Sequence, residues 1–96
     1  MIQFDTVRIA EICQRHDVAR LRVFGSTARG EEGPESDIDL LVDFASPKGL
    51  FELLRLEHEL EAFFGRPVDL MTEEGISPFL RAAIRASAVL LVDAAA

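Results

Sequence analysis

Residues Val23–Phe44 read VFGSTARGEEGPESDIDLLVDF. Two short apolar runs enclose a Gly-Ser pair, a charged loop and an Asp-x-Asp pair. The first run, Arg20–Phe24, reads as a strand, with Leu21 and Val23 on one face and Arg22 and Phe24 on the other. Gly25 breaks it, and Ser26 suits the N-cap of a brief helix over Thr27–Gly30. Glu31-Glu32-Gly33-Pro34-Glu35 punctuates a loop. Ile38–Phe44 then reads as a second strand, apolar on both faces as a central strand is, with Asp43 solvated near its far end.

The rest of the chain supplies elements to cover such strands. Phe4–His16 has a helical stripe in Ile9, Ile12 and Cys13, with Asp5 as N-cap or first-turn acid. His16 belongs at the helix end, interacting with its dipole. The long helix Leu50–Phe64 has an expected inner face of Leu50, Leu53, Leu54, Leu60, Phe63 and Phe64, with Leu56 nearby and Gly65 as terminator. Its Glu52, Arg55, Glu59 and Glu61 are expected in solvent, as is His58. Val68–Met71 is a third strand, with Asp69 inside it. Thr72–Ile76 turns, and Ser77-Pro78 starts a helix to about Ala86, with Phe79, Leu80, Ala83 and Ile84 expected inward. Ala88–Val92 is a last strand. The order α-β-α-β-α-β-α-β predicts an α/β fold with a helix-covered sheet, parallel or mixed.

Bulk composition narrows the function. The 96 residues predict one domain, with 49% hydrophobic and 28% charged residues. No apolar run approaches a membrane span, and the N-terminus lacks the pattern of a signal peptide. The lone Cys13 fits a reducing compartment and a core position, so a cytoplasmic protein is expected. Net charge is −7, which disfavours generic nucleic-acid binding. A phosphorylated ligand would need local positive charge from a metal ion, an Arg or a helix N-terminus.

Asp37 and Asp39, two residues apart on a strand, project from one face about 7 Å apart. Such a pair can hold a hard divalent cation, which takes oxygen ligands and substrate phosphates. It can equally be two incidental acids at a solvated strand end. Gly25 and Ser26 can seat an anion on a helix N-terminus, with Arg29 one turn on, or can simply be a capped turn. The two halves together are more informative than either alone. Four such fixed positions match by chance on the order of once in 10³ chains of this length.

Gly25-Ser26-x-Ala28-Arg29-Gly30 followed by Ser36-Asp37-Ile38-Asp39-Leu40 resembles the signature of the DNA polymerase β-like nucleotidyltransferases. The small size is similar to the minimal nucleotidyltransferase (MNT) branch, and the resemblance covers nearly the whole chain. It implies the nucleotidyltransferase fold, a small mixed sheet with helices packed against it. It also implies transfer of AMP from ATP to a hydroxyl of a HEPN-domain toxin, with the chain as the antitoxin of the pair. By the same resemblance Asp37, Asp39 and Asp69 are the ligands of two Mg²⁺ ions, with Asp69 also helping to deprotonate the acceptor. Gly25 and Ser26 hold the triphosphate, and Arg29 matches the motif either as an anion contact or as a packing residue. Without the resemblance, Asp69 reads as a strand-end acid paired with Arg66. No added substrate-binding domain is recognised, which favours a protein acceptor. Alternatives are an antitoxin that masks its toxin stoichiometrically and a small-molecule nucleotidyltransferase.

Overall fold

The computed structural model describes residues 5–25 and 37–93. Three helices are present among them, α1 (Thr6–Arg15), α2 (Leu50–Phe64) and α3 (Pro78–Ser87), with a short 3₁₀ turn at Glu73–Gly75. The four strands are β1 (Val18–Val23), β2 (Ile38–Phe44), β3 (Val68–Thr72) and β4 (Val89–Asp93). The expected Ser26 cap, the Thr27–Gly30 helix and the following loop lie outside the described residues. The sheet is mixed, in the order β3-β2-β1-β4. β1 is antiparallel to both β2 and β4, while β2 and β3 are parallel.

Local chemistry accounts for the element ends. Asp5 caps α1 by accepting the Arg8 backbone N–H at 3.2 Å. The chain then reverses at Asp17, whose φ of 58° is a left-handed value that Asp tolerates. The Asp17 carboxylate accepts the Ser46 hydroxyl at 2.7 Å and pairs with Lys48 at 2.9 Å. This reversal is thereby tied to the loop that follows β2. α2 ends on Gly65 in the left-handed region, as the sequence predicts. The connection from β2 to β3 through α2 is the crossover that parallel neighbours require.

β2 is central and buried on both faces. Ile38, Leu40 and Val42 join Ile9, Ile12, Leu21, Leu56 and Leu60 in the main core beneath α1 and α2. Leu41 faces the other way, into a small cluster with Phe24 and Ile76, against which Met71 and Ile84 pack. Cys13 is buried in the main core, and burial pushes its thiol up to about 11, which keeps it protonated and inert.

Four expectations are corrected. β1 begins at Val18, two residues before the expected start. The inner face of α2 is centred on Leu56 and Leu60, both fully buried, while Leu50 is 67% and Leu54 37% exposed. A helix of this length meets the sheet over part of its span, and its first turn projects beyond it. Phe79 and Leu80 also face outward, at 94% and 56% exposure, and α3 buries no residue completely. Lastly, Asp43 is half-buried and accepts from Arg22 Nη1 at 2.7 Å, so it is not simply solvated. His16 lies at the end of α1 as expected, and its ring also bonds Glu59 at 2.8 Å. Among the described residues no helix is long and apolar enough to cross a membrane.

Candidate active site

Strand alternation decides which side chains share the site. Since Ile38, Leu40 and Val42 point beneath α1 and α2, Asp39 stands on the opposite face of the sheet. Asp37, just ahead of β2 and two residues before Asp39, falls on that same face. On the neighbouring strand, Val68 and Leu70 are buried and Asp69 between them is exposed. The parallel register places Asp39 directly beside Asp69, at the interstrand spacing of about 4.8 Å. The charge that breaks the apolar pattern of β3 therefore sits next to the Asp-x-Asp pair.

The position of β3 is held at its start. The Ile38 N–H donates to the Pro67 carbonyl at 3.0 Å, and the Val68 N–H donates to the Glu61 carboxylate at 3.0 Å. Glu61, expected in solvent, is thus half-buried and anchors the strand that carries Asp69.

Gly25 closes the site from the β1 side. The Phe24 N–H donates to the Asp39 carbonyl at 3.0 Å, which brings the following glycine against the Asp39 side chain. Gly25 has φ +62°, and a Cβ built there would lie 2.6 Å from Asp39 Oδ2. Two requirements meet at this residue, a left-handed backbone and an empty side-chain position. Gly25→Ala is expected to displace the Asp39 carboxylate and to add about 1–2 kcal/mol of backbone strain. Nucleotidyl transfer should fall by more than thermal stability does, as parallel turnover and melting measurements would show.

The donor set is entirely carboxylate oxygen, the chemistry that suits Mg²⁺. Asp37, Asp39 and Asp69 share one face, but among the described residues no group of three or more His, Cys, Asp or Glu side chains is gathered closely enough to hold a metal ion. Ser26 and Arg29 lie outside the described residues.

Farther along this face is an arrangement that sequence reading missed. A cavity of about 380 Å³ is bounded by Arg20, Arg22, Asp43, Glu73 and Arg85. A neighbouring groove of about 400 Å³ shares Asp43 and Glu73 and reaches Lys48 and Arg81. Neither includes the three candidate metal ligands. The signal available was the alternation of β1, which puts Arg22 on the same face as Phe24.

A family model described as a nucleotidyltransferase domain matches residues 7–91. The chain belongs to this nucleotidyltransferase family. It is 44% identical over 82 residues to a Methanocaldococcus jannaschii chain provisionally named a protein adenylyltransferase, covering 85% of the present chain and 88% of the relative. It is also 39% identical over 71 residues to the protein adenylyltransferase MntA of Thermococcus cleftensis, covering 74% and 72%. Among solved structures, one provisionally described as a minimal nucleotidyltransferase superposes with a TM-score of 0.78 at 40% identity, covering 88% of this chain and 86% of the other. A chain from a toxin–antitoxin complex with AMP-PNP superposes with a TM-score of 0.79 at 21% identity, over 94% and 74%. A chain from the complex of a tri-AMPylated Shewanella oneidensis HEPN toxin with its MNT antitoxin gives 0.69 at 19%, over 92% and 69%. The last two show the shared fold. The nucleotidyltransferase is thus a minimal one, an enzyme of α/β architecture with a mixed four-stranded sheet.

Proposed function

We propose that this nucleotidyltransferase is a protein adenylyltransferase acting as a single catalytic domain, an antitoxin that transfers AMP from ATP to a hydroxyl of a HEPN-type toxin. The observation that carries the reading is the register of Asp39 beside Asp69, with Gly25 packed against the Asp39 carboxylate. Relatives named protein adenylyltransferases, and the HEPN toxin complexes of structural neighbours, support the substrate class.

Asp37, Asp39 and Asp69 would hold two Mg²⁺ ions only together with the phosphate oxygens of the nucleotide, which complete the ligand set. When bound, these supply charge neutralisation at the α-phosphate and at the departing pyrophosphate. Gly25 and Ser26 receive the triphosphate on backbone N–H groups, and Arg29 adds a cationic contact. Asp69, on the outer strand, faces the acceptor and takes the proton of its hydroxyl. As that oxygen bonds to the α-phosphorus, the bond from the α-phosphorus to the bridging oxygen breaks and pyrophosphate leaves.

A second reading, neutralisation by masking alone, is favoured by the apolar area that Leu50, Phe51, Phe79 and Leu80 expose to a protein partner. The test is incubation with ATP labelled in the adenosine, Mg²⁺ and the cognate HEPN protein. Label on the partner is expected. An unlabelled partner in a formed complex would overturn transfer and leave masking.

A further inference from the structure

Arg20 and Arg22 alternate with the buried Leu21 and Val23 along β1, so they stand on the face that bears Asp39 and Asp69. In register Arg22 lies opposite Leu41 and Arg20 opposite Asp43. These positions are about 7 and 13 Å along β2 from Asp39 at the rise of a strand.

α3 brings two more guanidiniums to this place. Arg85 grips the Glu73 carboxylate with Nε at 2.8 Å and Nη2 at 2.7 Å. Arg81 Nε donates to the Glu73 carbonyl at 3.0 Å. Arg20 is the least engaged, with Nε 3.6 Å from Asp93 and its side chain 44% exposed. The Glu73 carboxyl is held below its ordinary value, first by the Arg85 hydrogen bond and then by the charges of Arg85, Arg22 and Arg81.

Arg20, Arg22 and Arg85 therefore line one cavity, and Arg81 lines the groove beside it, in a chain of net charge −7. The carboxylates set against them are Asp43, Glu73 and Asp93. A guanidinium presents five N–H donors in a planar fork that matches carboxylate and phosphate oxygens. The contacts named above use a minority of these donors, and they fix the forks in place before a ligand arrives, which lowers the cost of binding.

We infer that this arginine groove is the acceptor-side recognition site of the enzyme, taking an anionic group that the acceptor protein carries near its reactive hydroxyl. This rests on the adenylyltransferase reading above. The groove shares the catalytic face and lies away from Gly25, where the nucleotide phosphates are received. A carboxylate flanking the hydroxyl fits it, and so does the phosphodiester of an acceptor already carrying AMP. The two share one chemistry, a planar or tetrahedral oxyanion met by a guanidinium fork.

The experiment is fluorescence anisotropy on the whole chain, without nucleotide, at low salt. Three short labelled peptides with a central tyrosine are compared: one flanked by glutamates, one by glutamines, and one flanked by glutamines with the tyrosine adenylylated. The net charge of the protein alone would favour the neutral peptide, so preference for an anionic one reports the local site. The glutamate or the adenylylated peptide should bind about tenfold more tightly than the neutral one, or better, and the winner identifies the source of the anion. Arg20→Gln, at an exposed and weakly engaged residue, should keep the melting temperature and reduce that preference at least threefold. Arg20→Gln with Arg22→Gln should abolish it. Equal binding of all three peptides, or a preference that survives both substitutions, overturns the inference. Because the readout needs no catalysis, its failure is distinct from failure of AMP transfer.

Discussion

Asp37→Asn combined with Asp39→Asn is expected to cut AMP transfer by about 10³-fold or more, while the protein folds and binds its partner as before. The magnitude follows from removing several kcal/mol of charge stabilisation at about 1.4 kcal/mol per tenfold. Asparagine keeps the shape of aspartate but offers a divalent cation a neutral oxygen. The apolar packing of β2 rests on Ile38, Leu40, Leu41 and Val42, none of which is altered. The melting temperature should consequently change little. Single-turnover transfer of labelled AMP to the HEPN partner measures the loss, and activity within tenfold of the parent would remove these carboxylates from the mechanism. Toxin neutralisation in cells adds a second readout. If the inactive double variant still protects, masking is sufficient; if it forms the complex and fails to protect, transfer is required.

The second large effect concerns stability. Leu56→Ala should destabilise the protein by about 2–5 kcal/mol, the cost of a large cavity in a closed core. Leu56 is fully buried among α1, α2 and the sheet. In a domain of this size each kcal/mol corresponds to roughly 4–8 °C of melting temperature. Phe51→Ala, in the same helix but at a side chain 77% exposed, should shift stability by no more than about 0.5 kcal/mol. Thermal and urea unfolding of both variants compare the two positions directly. Similar losses would mean that α2 is seated differently from the arrangement described.

The contrast between Leu56 and Phe51 also shows what the amino-acid sequence makes legible. Ile38–Phe44 and Leu50–Phe64 are read with correct bounds because their signals are local: a continuous apolar run, and a glycine positioned to stop a helix. Which part of α2 meets the sheet is not local. Hydrophobic spacing in Leu50–Phe64 is equally compatible with a helix engaged along its whole length, and the outward-facing first turn depends on where β2 ends. α3 departs from its sequence pattern for a related reason. Its apolar residues suggest an inner face, yet Arg81 and Arg85 attach it to Glu73 while Phe79 faces outward.

At the site, Asp69 is conspicuous as a charge within an apolar strand, and the Asp-x-Asp pair is conspicuous by spacing. Their adjacency is a matter of strand register, set by docking of a helix between residues thirty positions apart. The pairing of Arg22 with Asp43, across 21 residues, was equally invisible to local pattern. Ser26 and Arg29 remain readings of the motif, since they lie outside the described residues.

The strand order has a further consequence for synthesis. β4 follows β1, β2 and β3 in the chain, yet it lies against β1, the earliest of the four. A chain emerging from the ribosome can pair β1, β2 and β3, and so align Asp39 with Asp69, while the outer edge of Val18–Val23 is still uncovered. Closure of that edge waits for β4. Loss of residues 89–93 would uncover the edge of β1, whose unpaired N–H and C=O groups could then pair with other chains. Pairing with β4 is therefore what shields that edge of β1.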